Sequence, residues 1–247
     1  MRFRALTASL IVFLPLSLRA DALTDLRAAL AQLAATTPAR GTFEVTSTST
    51  NSDEGQAFQG KASVGFDISD AGLRILYSRP TLMQANQEAR AEAVDPDRQT
   101  PARSGMGRVR ALDLAELLDS AGTLNVELLS AQLTEEKPTT YQGKPARLVA
   151  MKLSPKLSKG TSKRVKRVDA TLTIWVGDDG VPIAAERRLS LKASFMLISF
   201  EHEQKESWIY ARAGDRLVAT RYQETQKSDG FGQHDSSQVA QVVRLEP

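Results

Sequence analysis

Residues 170–181 (ATLTIWVGDDGV) indicate the fold of this chain more clearly than any other stretch. The apolar residues take every second position, which is the period of a strand with one buried face; they are Ala170, Leu172, Ile174 and Val176. Asp179-Gly180 then marks a tight hairpin, because glycine supplies the positive φ that such a turn needs. Residues 181–200 are therefore predicted as the returning antiparallel strand.

Further strands are predicted on both sides of this hairpin. Short runs of β-branched and aromatic residues alternate with polar ones and are separated by Gly, Asn, Asp and Pro clusters. The predicted strands are a meander over residues 41–77 with turns at 51–55 and 69–72, a hairpin of 131–136 with 145–153 across 141–144, a hairpin of 208–212 with 217–222, and a last strand at 239–245.

Helical spacing is confined to two regions. Four leucines spaced for one helical face predict a helix over residues 23–35, which Thr37-Pro38 ends. Residues 82–93 are rich in helix-forming residues, and residues 95–107 are predicted as an exposed loop. Residues 112–121 form a second apolar stripe at helical spacing, and Gly122 is predicted to end that helix. Strands are predicted to resume from Val126 onward. The predicted fold class is α+β, with one large antiparallel sheet and helices packed on one side.

The first 22 residues are typical of a secretory signal peptide. Arg2 and Arg4 precede an apolar run over residues 5–16, and residues 20–22 form an A-x-A ending. The run is too short to span a bilayer. We predict a signal peptide at 1–22, cleaved after Ala22 or alternatively after Ala20, and a single domain over 23–247. The location expected is periplasmic, or secreted if the cell has no outer membrane.

The charge balance argues against nucleic acid as a partner. The chain has 32 basic and 29 acidic residues, and residues 1–22 contain three arginines and one aspartate, so 29 basic and 28 acidic residues remain, a net charge of +1. Such a balance lacks the basic footprint of nucleic-acid binding. The chain has no cysteine, which excludes disulfides, thiolate catalysis, Cys-ligated zinc and a lipid-modified cysteine.

No catalytic motif is recognisable, so we predict that the protein is not an enzyme and uses no cofactor. The G-x-S-x-G, H-E-x-x-H and glycine-rich phosphate-loop patterns are absent. Glu201-His202-Glu203 places its carboxylates and its imidazole on opposite faces of a strand, which disfavours a metal site. A hydrolase with an unfamiliar site is the least favoured alternative.

Six basic residues without an acidic one occupy residues 156–167. One interpretation is a solvated loop, since charge runs are usually exposed. The other is contact with an anionic lipid surface or an acidic protein, where each charge contributes roughly 1 kcal/mol. The residues chosen for that contact are Lys163, Arg164, Lys166 and Arg167.

Residues 195–198 (FMLI), followed by Phe200, place apolar side chains on both faces of one predicted strand. This pattern fits a central strand covered on both sides. It equally fits a concave sheet face that lines an apolar pocket. The candidate ligand-lining residues are Phe66, Trp175, Phe195, Leu197 and Phe200.

The order of these elements resembles the periplasmic lipoprotein-carrier (LolA/LolB-like) superfamily. The resemblance covers most of the predicted mature chain through short motifs: the opening amphipathic helix, Gly41-Thr42-Phe43, residues 60–66, residues 73–77, Arg79-Pro80, residues 141–146, Thr173-Ile174-Trp175-Val176 and residues 179–182. It implies a large curved sheet, an incomplete barrel, with helices over an apolar cavity for acyl chains. No motif is specific enough to assign a ligand contact.

Two functions follow from these observations. The first is a non-enzymatic envelope carrier or binder of an apolar ligand, such as a lipid or the acyl chain of an acylated protein, with transient contact to an anionic membrane surface. The second is an envelope protein-interaction module with a filled core and a basic docking arm.

Overall fold

The computed structural model describes residues 22–51, 57–155, 165–195, 198–230 and 232–246. The predicted signal segment, apart from Ala22, lies outside them. In the described part of the chain the helices are α1 (Ala22–Ala31), α2 (Arg79–Glu92), α3 (Pro101–Gly107), α4 (Ala111–Leu118) and α5 (Ser120–Leu128). The strands are β1 (Ala39–Asn51), β2 (Ala57–Ser69), β3 (Gly72–Leu76), β4 (Ala131–Tyr141), β5 (Lys144–Leu153), β6 (Val165–Val176), β7 (Pro182–Phe195), β8 (Ile198–Ala213), β9 (Arg216–Gly230) and β10 (Gln233–Leu245).

All ten strands form one antiparallel sheet in the order β3-β2-β1-β10-β9-β8-β7-β6-β5-β4, and the sheet does not close on itself. The predicted α+β class is confirmed. Helices α2 to α5 connect β3 to β4, which lie at opposite edges of the sheet. Within this connection α3 contacts β2, and α4 and α5 contact β9.

The inner face of the sheet forms the hydrophobic core together with α1, α4 and α5. Phe43 of β1 and Ile174 of β6 are fully buried, as are Leu26 and Leu30 on one stripe of α1. Alternation along the strands places these apolar residues on one face and polar residues on the other. Burial of apolar side chains at about 1.5–3 kcal/mol each supplies the main driving force for packing the helices on this face.

Two glycines allow α3 to lie directly on β2. A Cβ atom at Gly105 would overlap the backbone of Lys61, and one at Gly60 would lie 3.0 Å from the backbone nitrogen of Gly105. Helix and strand therefore approach to backbone contact. Local sequence patterns do not show this contact, because it depends on two residues distant in the chain.

The predictions for the helical region were partly wrong. Residues 101–107, expected in a loop, form α3, which has Pro101 in its first turn, where its missing N–H costs nothing. The helix expected to end at Gly122 instead ends at Leu118, and α5 starts at once and contains Gly122 and Val126. The Asp119 carboxylate accepts a hydrogen bond from the Gly122 amide at 3.0 Å, so this glycine lies in the capped first turn.

The expected single strand over residues 181–200 is also wrong. β7 ends at Phe195 and β8 begins at Ile198, and these two residues are antiparallel partners. Phe195 and Ile198, from the stretch that suggested a strand apolar on both faces, therefore belong to two paired strands, although no Gly or Pro in the sequence marks the change. The other predicted strand pairs, the opening helix, which ends at Ala31, and the helix near residues 82–93 are confirmed. The predicted turn at 51–55 lies, apart from Asn51, outside the described residues.

Candidate ligand cavity

A cavity of about 670 Å³ lies between α4–α5 and the inner face of β7 to β10. Its size is in the range of small-molecule sites. Its lining is mostly polar, and it consists of Gly107, Arg108, Arg110, Asp113, Glu116, Leu117, Ser120, Thr123, Leu124, Glu127, Arg187, Gln204, Glu206, Trp208, Tyr210, Tyr222, Glu224, Gln226, Val239 and Gln241.

The floor of this cavity is the part of its lining that the strands supply, and strand alternation and register bring its residues together. Residues 204, 206 and 208 of β8 share one face because side chains alternate along a strand. Glu206 is paired with Arg187 on one side and with Glu224 on the other, while Trp208 is paired with Tyr222. The polar floor therefore extends over three adjacent strands.

Arg187 occupies the centre of the floor. Its Nη1 donates to Oε1 of Glu127 on α5 at 2.5 Å, and its Nε donates to Oε2 of Glu206. Its guanidinium carbon also lies 5.8 Å from the ring centroid of Trp208. Glu206 is only 5% exposed, so this carboxylate is tolerated because a guanidinium and a hydroxyl satisfy it.

Burial changes the acidity of two groups beside Arg187. Burial raises the pKa of Glu127, and the opposing attraction of Arg187 only partly offsets that effect. Burial also raises the pKa of Tyr222, and the nearby carboxylates of Glu206 and Glu224 raise it further. The Tyr222 hydroxyl consequently stays protonated and donates to Oε1 of Glu206 at 2.9 Å.

Glu224 accepts hydrogen bonds from amides and interacts with the charge of Arg110, but it forms no close ion pair with a described residue. Gln204 Nε2 donates to Oε1 of Glu224 at 2.7 Å, and Gln226 Nε2 donates to the same oxygen. Gln241, beside Tyr222 in the register, is 5% exposed and lines the cavity. Its side chain makes no hydrogen bond with any described residue.

The lining carries a net negative charge. It contains five carboxylates and three guanidiniums, 3 − 5 = −2 when all are ionised. Arg110 pairs with Asp113 at 2.8 Å at the cavity edge. The floor therefore differs from the apolar lining that the resemblance implies.

None of the described candidate lining residues takes part in this cavity. Phe66 is buried in the core at 2% exposure. Trp175 lies on the outer face, with its ring centroid 5.4 Å from that of Tyr141. Phe200 lies on the inner face of β8, stacked at 6.4 Å on His202. Leu197 and the side chain of Phe195 are outside the described residues.

The basic residues lie at the junction of β5 and β6. Lys166 and Arg167 are exposed at the start of β6, and Arg167 pairs with Asp169. Lys163 and Arg164 are outside the described residues.

No described group of three or more His, Asp or Glu side chains could hold a metal ion. His202 is hydrogen-bonded through Nδ1 to Ser228 Oγ at 2.9 Å.

One pattern in the sequence, two strand segments that are polar at every position, indicates the polar floor of the cavity. Residues 203–207 (EQKES) and 223–227 (QETQK) are polar at every position, whereas a strand with one face on an apolar core alternates. Such runs indicate that both faces meet polar surroundings. They do not reveal the partners, since Glu127 is 60 residues from Arg187.

No protein-family model matches this chain, and no curated protein matches it. In the described part of the chain, no helix is both long and apolar enough to cross a membrane.

Proposed function

We propose that this protein is an exported, non-enzymatic carrier or binder of the cell envelope, whose ligand occupies the cavity beneath α4 and α5. The observation that carries this proposal is the cavity itself, about 670 Å³ between α4–α5 and the sheet. A polar, ligand-sized space between helices and sheet is therefore a default candidate for a binding site.

The lining supports an amphipathic ligand better than a bare acyl chain. Leu117, Leu124 and Val239 offer apolar contacts, whereas Arg187 and Glu206 are hydrogen-bonded charges on the floor. An acyl chain laid on those groups would remove water from them without replacing its hydrogen bonds, which is unfavourable. A ligand with one apolar and one polar part satisfies both sides.

The basic residues support delivery to or from an anionic surface. Lys166 and Arg167 are exposed at an end of β6, and Lys163 and Arg164 precede them in the chain. A cluster of this kind is attracted to anionic lipids at moderate ionic strength. In this proposal these four basic residues approach the membrane and the cavity holds the ligand.

Native mass spectrometry of the mature protein purified from the periplasm, with organic extraction of the same sample, tests the proposal. We expect a co-purifying small molecule in the parent protein. The variant Thr123→Trp should lose it, because Thr123 lines the cavity, and the control Gln223→Trp, at an exposed position of β9, should keep it. An apo mass in all three would contradict ligand carriage and favour the protein-interaction module.

A further inference from the structure

We propose that the polar part of the ligand is an ammonium group, seated on the floor between Glu224, Gln241 and the Trp208–Tyr222 pair. This inference rests on the proposed function, because it names the chemistry of the ligand in the same cavity. It is carried by a buried amide without a partner, by the charge of the lining and by the aromatic rings.

Gln241 is the first element of the argument. Its side chain faces the cavity, is more than nine-tenths buried and has no hydrogen-bond partner among the described residues. The amide therefore keeps its acceptor and donors available to a molecule in the cavity. A ligand donor can bind the amide oxygen of Gln241.

Hydrogen bonds within the floor leave acceptor capacity on Glu224. The Nε and Nη1 of Arg187 and the hydroxyl of Tyr222 already donate to carboxylates. The amides of Gln204 and Gln226 likewise donate to Glu224. A carboxylate has about four lone-pair sites, so Glu224 retains acceptor capacity for a donor of a bound molecule.

The charge of the cavity lining then distinguishes between ligands that carry hydrogen-bond donors. The lining is negative by two charges when fully ionised, and Glu224 interacts with the Arg110 charge without forming a close ion pair with any described residue. A neutral polyol would leave the net negative charge of the lining uncompensated, and an anion would increase the repulsion. A cation is the complementary choice, because potentials of opposite sign at an interface determine which partner is accepted.

The aromatic pair supports the same choice. Trp208 and Tyr222 lie with ring centroids 5.5 Å apart at 47°. Ring faces attract cations, and Arg187 already lies over Trp208 at 5.8 Å. The guanidinium of Arg187 is therefore one cation that the floor already binds, through two carboxylates and the indole ring of Trp208. Glu224 and Gln241 provide acceptors for a second one beside Tyr222.

The test compares octylammonium, 1-octanol and octanoate, which share a chain and differ in the polar group. Isothermal titration calorimetry on the mature protein at pH 7 and low salt should show octylammonium binding at least about tenfold more tightly than the other two. Glu224→Gln and Gln241→Leu should each weaken octylammonium binding. Glu203→Gln makes the same charge change on the exposed outer face of β8 and should leave binding unchanged.

Each other outcome overturns a defined part of this inference. If all three probes bind with equal affinity, or octanoate binds most tightly, the cavity function stands and the ammonium assignment fails. If octylammonium binds selectively but Glu224→Gln and Gln241→Leu behave like Glu203→Gln, the cation site is elsewhere and the assignment fails. If none of the probes binds, the proposed function fails together with it. A thermal melt of each variant separates loss of binding from loss of folding.

Discussion

Arg187 of β7 donates a hydrogen bond to Glu127 of α5 across 2.5 Å and thereby joins the helical layer to the floor of the sheet. The same guanidinium donates to the buried Glu206 on the neighbouring strand. One side chain therefore satisfies two carboxylates that come from different layers. The stability of the cavity wall depends on this arrangement.

Replacing Arg187 with methionine should strongly destabilise the protein. Methionine replaces the aliphatic part of the side chain but leaves Glu206 and Glu127 without their cation. Breaking a buried ion pair on one side costs about 3–5 kcal/mol, and the partial exposure of Arg187 reduces the expected loss to about 2–3 kcal/mol. Urea unfolding at pH 7 measures this loss.

The neighbouring Arg188→Met is the matched control. Arg188 is exposed on the outer face and pairs with Glu186, and exposed pairs contribute about 0–1 kcal/mol. Equal effects of the two substitutions would show that the Arg187 contacts do not stabilise the fold.

Replacing Glu127 with glutamine should increase stability at pH 7 and flatten its pH dependence. Burial raises the pKa of Glu127 above its ordinary value of 4.5, so the folded state binds this proton more tightly than the unfolded chain does. Stability is therefore gained as the pH falls through the raised pKa and lost as the pH rises. Glutamine resembles the protonated acid at every pH.

The measurement is the free energy of unfolding from pH 4.5 to pH 8 for both proteins. We expect the gap between the two curves to narrow toward the acidic end, as Glu127 becomes protonated. A variant that is less stable than the parent at pH 7 would mean that attraction to Arg187 outweighs the cost of burial.

Replacing Asp215 with asparagine should destabilise the protein at neutral pH, and the loss of stability should be smaller at acidic pH. Asp215 Oδ2, in the turn between β8 and β9, accepts hydrogen bonds from Thr36 N at 2.8 Å, Thr36 Oγ1 at 2.7 Å and Thr37 N at 3.1 Å. These bonds hold the pKa of Asp215 far below its ordinary value of 3.8. The stabilisation is present above pH 3.8 and is lost as the pH falls through the lowered pKa.

Thermal unfolding at pH 7 and pH 2.5 checks this difference for Asp215→Asn against the parent. The gap in melting temperature should shrink at the lower pH. A gap of the same size at both values would indicate a packing effect unrelated to the charge.

Replacing Gly105 with alanine should destabilise the contact between α3 and β2. The added methyl group would overlap the backbone of Lys61, which cannot move aside as a side chain can. We expect a loss of about 1–3 kcal/mol, as is usual for overpacked interiors. Gly107→Ala is the control on the same helix, because a Cβ there meets nothing within 4 Å. It should be neutral or stabilising by about 0.5–1 kcal/mol, and equal losses would contradict the close approach of α3.

The strands and most of their hairpins could be predicted from the sequence because the signals are local. Two-residue alternation over residues 170–176 and the Asp179-Gly180 turn depend only on neighbouring residues, and β6 and β7 match them. The break near Phe195 was missed for the same reason, since no Gly or Pro marks it. The helix boundary at Asp119 was missed because Gly122 is a stop signal only at the end of a helix and not in a capped first turn.

The site was determined mainly by tertiary structure. Arg187 and Glu206 resemble surface residues of an antiparallel strand, and the polar run around Glu206 indicates polar surroundings without revealing the partners. A charge can be buried only when partners satisfy it, and those partners are 19 and 60 residues away from Arg187. The sequence by itself determined the α+β class and the antiparallel pairing. Register between strands and the position of α5 decided that the cavity floor is charged, because only they bring these distant groups within hydrogen-bonding distance.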